Sequence, residues 1–264
     1  MSEKIDFEKY HRVIDRTDLV RVIGKVVQVV GLIIEAQVGG VSVGDLCTIR
    51  IEKENRDAYA EAVGFREGRV LLMPLGSTSG ISPGAQVTAA GKPLMVKVGK
   101  ELLGRILNGL GEPIDGKGSI HGEVERPLDA NPPDPVKRPR VADIMRVGVR
   151  AIDGLLTIGK GQRIGIFAGS GVGKSTIMGM VARNAEADIN VICLVGERGR
   201  EVRDFIEESL GEEGLKKSVV VVATSDQPPL IRLKAAFVAT AIAEYFRDLD
   251  NKVILMMDSV TRFA

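Results

Sequence analysis

Nine consecutive residues, Ala168-Gly169-Ser170-Gly171-Val172-Gly173-Lys174-Ser175-Thr176, have the types and spacing of a phosphate cradle. Glycines let a backbone curl until successive N–H groups point inward at anionic oxygens, and the start of a following helix adds partial positive charge. Lys174 supplies a mobile cation and Ser175 a hydroxyl suited to Mg²⁺. Gly169, Ser170, Gly171, Val172, Gly173, Lys174, Ser175 and Thr176 are therefore the candidate nucleotide contacts. The strict pattern G-x-x-x-x-G-K-[ST] opens on glycine, and Ala168 makes this the relaxed form.

Two further apolar runs end on acids. Residues 253–257 lead straight into Asp258, the form in which a strand delivers one carboxylate to the water shell of Mg²⁺ beside a phosphate turn. The plain counterpart is an aspartate that only caps the next turn. Residues 191–195 end in Gly196-Glu197-Arg198-Gly199-Arg200-Glu201. Hydrolysis needs a group that orients and polarises the attacking water, and Glu197 is placed for it on the same rim. Spacing alone leaves open a solvated charged turn.

These groups need a scaffold. A phosphate turn requires a strand entering and a helix leaving, and 162–167 reads as a buried strand, 175–185 as a helix. Apolar runs at 189–195, 218–223 and 252–257 then alternate with helical segments at 200–210 and 230–249. Continuous β-branched runs separated by helices predict a parallel sheet covered on both faces, with its ligand site at the carboxyl ends of the strands. Ahead of this lies a different rhythm. Runs at 20–30, 33–38, 46–51, 59–65, 70–74 and 85–89, punctuated by glycines, predict six short strands closed into a small barrel, since closure removes exposed edges. Between the halves, 109–118 is turn-rich and 131–140 is an extended proline segment with a basic cluster at Lys137, Arg138 and Arg140, read as a solvated linker.

Composition excludes several classes. With 36 basic and 35 acidic side chains, no global field draws nucleic acid or membrane to the chain. The barrel offers only Tyr59 and Phe65 as stacking platforms and no basic stripe, so it reads as an assembly domain with no nucleic acid partner. The first twelve residues alternate charge and lack a signal-peptide core, and the most apolar stretch, 26–34, is too short to span a bilayer, so a cytoplasmic location is expected. Cys47 and Cys193 sit in separate apolar segments and read as reduced core thiols. His11 and His121 belong to no Cys/His cluster, which gives no basis for a structural metal site.

Taken together, Ala168-Gly-Ser-Gly-Val-Gly-Lys-Ser, Gly196-Glu-Arg-Gly-Arg-Glu and Leu255-Met-Met-Asp-Ser-Val-Thr-Arg-Phe-Ala resemble the catalytic-subunit family of rotary ATPases. Within it they are most similar to the ATPases of type III protein export, the flagellar ones above all, and the likeness includes Leu102-Leu-Gly-Arg-Ile-Leu-Asn-Gly-Leu-Gly and Ala223-Thr-Ser-Asp-Gln-Pro-Pro. The resemblance implies a mainly α/β chain: a tail at 1–17, a six-stranded β-barrel at 18–91, a linker and start of the ATPase domain at 92–147, and a P-loop RecA-like core at 148–264. It further implies ATP with Mg²⁺, a homo-hexameric ring, stalk and regulatory proteins, export substrates and their chaperones, and peripheral association with a membrane export gate. By position, Lys174 and Ser175 hold phosphate and metal, Glu197 activates water, Asp258 supports the metal and Arg198 assists the phosphate end. Noncatalytic ring subunits of the family commonly carry glutamine where this chain has Glu197, which favours a catalytic chain. A virulence-type injectisome ATPase shares every motif; a proton-driven rotary synthase subunit, an RNA translocase and a nucleotide-gated scaffold are the remaining readings. The family continues beyond the Asp258 strand with an adenine-stacking residue, an arginine finger and a helical domain, so the expectation is a truncated core with an exposed 252–257 edge.

Overall fold

The computed structural model describes Phe7 and residues 22–169 and 171–263. The expected tail at 1–17 apart from Phe7, the first residues of the 20–30 run, Ser170 and Ala264 lie outside the described residues. The chain divides between Pro93 and Leu94 into two units.

The first unit is the expected closed barrel. Its strands are β1 (Ile23–Val30), β2 (Ile33–Gln37), β3 (Asp45–Ile51), β4 (Arg56–Arg66), β5 (Arg69–Pro74) and β6 (Gln86–Pro93), paired antiparallel in the order β1-β2-β5-β4-β3-β6, with β6 closing on β1. Alternation decides which side faces in: Cys47, Ile49 and Ile51 on β3 are buried, as are Ala58, Ala60 and Ala62 on β4. Register sets Cys47 against Ala60 and Ile49 against Ala58, so large side chains face small ones and a narrow interior fills without clash. Burial pushes the Cys47 thiol up to about 11, and Cys47 and Cys193 are both buried and free.

The second unit opens on a two-stranded antiparallel sheet of β7 (Met95–Val98) and β9 (Val124–Pro127), and its main sheet contains β8 (Ile106–Asn108), β10 (Ile189–Val195), β11 (Ser218–Ala223) and β12 (Val253–Asp258). Strand order is β12-β10-β11-β8, all parallel. Helices are α1 (Arg150–Leu155), α2 (Lys174–Asn184), α3 (Gly199–Asp204) running into a π turn (Phe205–Leu210), α4 (Gly211–Lys216), α5 (Pro229–Asp248) and α6 (Val260–Phe263). Every residue of β10 is buried. Val191, Cys193 and Val195 pack with Ile231, Ala235, Val238 and Ile242 of α5, whereas Ile192 and Leu194 pack with Met178 and Ala182 of α2 and with Phe205. Both faces are therefore dry, which is why these strands read as unbroken apolar runs.

Two findings differ from expectation. Residues 94–128, within the 92–147 stretch read as linker and start of the ATPase domain, contribute β7, β8 and β9, none of which was read as a strand, and β8 is anchored by Arg105, whose Nε and Nη2 donate to Asp115 at 2.7 and 2.9 Å. Residues 162–167 form no strand and are not buried: Ile164 is 50% and Phe167 96% exposed. An apolar run states a capacity for burial, but a strand also needs a neighbouring row of N–H and C=O groups. Here the segment's entry is instead a turn, with Gln162 N donating to Gly159 O at 3.0 Å and Gly159 N to Gln162 Oε1 at 2.8 Å.

Candidate functional site

Two glycines shape the turn that precedes α2. Gly171 (φ +76°) and Gly173 (φ +100°) lie in the left-handed region that a side chain resists. No heavy atom stands within 4 Å of where a Cβ would be built on Gly169, Gly171 or Gly173, so open space lies over the backbone. Val172, Ser175 and Thr176 are exposed, and Lys174 opens α2.

The Lys174 ammonium is hydrogen-bonded to Asp258 Oδ1. This joins residues 84 apart in sequence: the first residue of α2 and the last of β12. Asp258 is 5% exposed, a buried carboxylate with a cation beside it, as burial of such a charge demands. The sheet then brings in the other acid. Leu194 of β10 pairs with Asp258 of β12, and Glu197 follows Leu194 by three residues across the turn at Gly196 (φ +72°). Glu197 is half-buried, and Arg262 Nη1 lies 2.9 Å from its Oε2. Burial first, then a hydrogen bond with Glu201 and the charge of Asp258, push the Glu197 carboxyl above the usual range, and Arg262 opposes them. Glu201 moves the other way, held down chiefly by its hydrogen bond with Glu197. A half-buried carboxyl set among charged neighbours is the kind of group that functional sites collect.

Arg198 sits at the N-cap of α3, exposed, with Nη1 3.5 Å from Glu201. The sequence reading gave no role to Arg262, Glu201 or Ser225, although all three fall inside quoted motifs. Arg262 stands one helical turn beyond Asp258, Glu201 one turn beyond Glu197, and Ser225 N donates to Glu197 O at 3.0 Å. For Arg262 and Glu201 the signal was the offset from an acid already singled out; Ser225 carried no such signal.

Residues 26–91 match the ATP synthase alpha/beta family, beta-barrel domain, and residues 148–264 match the ATP synthase alpha/beta family, nucleotide-binding domain. Together the two take in more than half of the chain. It belongs to the ATP synthase alpha/beta family. Among this member's relatives, the flagellum-specific ATP synthase of Bacillus subtilis is 58% identical over 95% of the chain, and the type 3 secretion system ATPase of Xanthomonas euvesicatoria is 54% identical over 91%. The assembled ATPase EscN of the enteropathogenic E. coli type III secretion system, solved with its central stalk EscO, superposes with a TM-score of 0.84 at 48% identity over 91% of the chain. The chain spans 58%, 54% and 58% of the length of these three. Among the described residues no helix is long and apolar enough to cross a membrane.

Proposed function

We propose that this chain carries the nucleotide-hydrolysing site of a flagellar type III protein export ATPase. The observation that supports this most is the convergence of Lys174 on Asp258 with Glu197 on the adjoining strand end. In this reading the turn at 169–175 takes the phosphates of ATP through its N–H groups, Lys174 neutralises the β and γ oxygens, and Glu197 orients the attacking water and accepts its proton. Mg²⁺ would be held by Ser175 and Asp258 and would supply charge neutralisation on the phosphates. The donor set fits that ion: a hydroxyl and a carboxylate are hard oxygen donors, and Mg²⁺ typically takes one or two protein ligands, keeping water and phosphate for the rest. Arg198 assists at the phosphate end after a turn away from Glu201.

The flagellar assignment draws on the 58% identity to the Bacillus subtilis relative. The injectisome is the second reading, favoured by the 54% identity to the Xanthomonas euvesicatoria ATPase. Either way the chain would work in the cytoplasm as part of a homo-hexameric ring, at the membrane export gate, with stalk and regulatory proteins and with export substrates and chaperones as partners. The test is Glu197→Gln in the full chain as its gene encodes it. ATP affinity should persist while phosphate release falls at least about 100-fold, the usual worth of a general base. Undiminished release would remove Glu197 from the role.

A further inference from the structure

Every residue from 129 to 144 is exposed. The segment starts beside Leu128, which lies against Ala236 and Phe237 of α5 on one face of the sheet. It ends at Met145, which packs with Ile254 and Met256 on the other face, so it passes around the β12 margin. Three of its side chains are large and apolar, Val136 (91% exposed), Val141 (54%) and Ile144 (63%), and three are basic, Lys137, Arg138 and Arg140. Among the described residues these three bases make no ion pair. The backbone is held nonetheless: Val136 N donates to Asp134 Oδ1 at 3.0 Å, Lys137 N donates to Asp134 O at 3.0 Å, and prolines stand at 132, 133, 135 and 139. A solvated linker requires neither exposed valines nor a held shape, whereas a preordered proline-rich segment loses little entropy when it docks.

The opposite margin of the sheet offers a seat. A groove of about 240 Å³ lies between β8 and α3 with its π turn, walled by Ile106, Ile114, Val202, Ile206 and Val222. That volume is below the roughly 300 Å³ at which small-molecule pockets begin, which suits it to a few side chains of a protein. Residues 204–213 carry five acids, Asp204, Glu207, Glu208, Glu212 and Glu213, and no base, and Glu207 forms part of the groove wall. Glu207 pairs with Arg203 and Glu213 with Lys216, while Asp204, Glu208 and Glu212 make no ion pair among the described residues. An apolar groove with an acidic flank complements an apolar segment with a basic one.

We propose that residues 136–144 of one copy of this chain dock in the β8–α3 groove of a second copy, apolar side chains entering the groove and Lys137, Arg138 and Arg140 facing its acids. The inference deepens the ring reading above and rests on it. Strand order β12-β10-β11-β8 sets segment and groove at opposite margins of one sheet, so the contact joins two different patches. Such a head-to-tail contact leaves a segment unused at one end and a groove at the other, and copies add in one direction until a ring closes.

The experiment follows self-association of the full chain, as its gene encodes it, by analytical ultracentrifugation with a nonhydrolysable ATP analogue, and circular dichroism checks that each variant folds. Lys137→Glu/Arg138→Glu/Arg140→Glu makes both sides of the junction acidic, and Glu207→Lys/Glu208→Lys/Glu212→Lys makes both basic. Like charges facing each other across an interface are disfavoured, so each variant alone should associate at least about tenfold more weakly than wild type. Mixed in equal amounts the two should assemble again, because every junction then pairs opposite signs. Val136→Asp should also weaken association about tenfold or more, since it sends a charge into an apolar seat. Wild-type association in both charge variants, or a mixture that stays apart, would overturn the inference and leave the ring reading standing. A wild type that stays monomeric overturns both. A segment variant that assembles normally but no longer binds vesicles of phosphatidylglycerol that retain wild type would make the segment a membrane contact and overturn the proposal too. If the groove variant fails to fold, the segment variant and Val136→Asp decide, and wild-type association in both overturns it.

Discussion

Replacing Asp258 by Asn separates the two roles that the Lys174–Asp258 pair would play. The carboxylate is 5% exposed while the Lys174 side chain is 31% exposed, so the cation faces solvent and its counterion does not. A triphosphate arriving without metal must share Lys174 with Asp258 and bring more negative charge up to a buried acid. Unit charges 4 Å apart interact by about 4 kcal/mol at an effective dielectric of 20 and by about 1 kcal/mol in water. With one partner about a third exposed and the phosphate regaining part of the attraction, the net handicap is roughly 1 to 2 kcal/mol. Asparagine removes it, so in EDTA the variant should bind ATP about 5- to 30-fold more tightly than wild type. With Mg²⁺ the order reverses, because the carboxylate that steadies the metal's water shell is gone and roughly tenfold of affinity goes with it. Equilibrium titration of a fluorescent ATP analogue, with EDTA and with Mg²⁺, reads both arms. Weaker binding by the variant in EDTA, or an undiminished gain on adding Mg²⁺, would refute the reasoning.

Two predictions concern the frame around the site. Asp115→Asn breaks a buried pair: the Asp115 side chain is 3% exposed and accepts from Arg105 Nε, Arg105 Nη2, Ile106 N and Lys117 N. Leaving Arg105 without its carboxylate should cost about 3 to 5 kcal/mol, measured by urea unfolding followed by circular dichroism. The Arg105 hydrogen bonds hold the Asp115 carboxyl far below its ordinary value of 3.8, so its stabilising effect is whole above that pH and fades as pH falls beneath it. Wild type should therefore lose stability below pH 3.8 more steeply than the variant. Gly179→Ala tests the fit of α2 on the π turn: a Cβ there would meet Ser209 O at 2.4 Å. Alanine's helix preference is worth about 1 kcal/mol, but overpacking against main chain costs about 1 to 3 kcal/mol, so thermal melting should show a net loss, and a gain would mean that the π turn yields.

Legibility followed the number of neighbours an element needs. The runs at 189–195 and 218–223 coincide with β10 and β11 end to end, because a strand dry on both faces is written as an apolar run with polar ends. The six barrel strands were legible from alternation and glycine spacing, since each turn is local. β8 was not: it is three residues long, and only its parallel register with β11, Ile106 against Val220, makes it a strand. Residues 162–167 failed in the opposite direction, carrying the composition of a strand but no ladder. Arg262 was visible as a residue and invisible as a contact, because its reach to Glu197 crosses from one strand end to the next.

That crossing shows what places the chemistry. Val253 and Met257 of β12 pack toward α5, while Ile254 and Met256 pack toward the α2 side, and β10 alternates in the same way. Sliding β12 by one residue against β10 would exchange those faces, driving the α5-side residues into the α2 layer. It would also move Asp258 off Leu194 and out of line with Lys174. The register that pairs Asp258 with Leu194 is therefore what sets an ammonium and two acids at one rim.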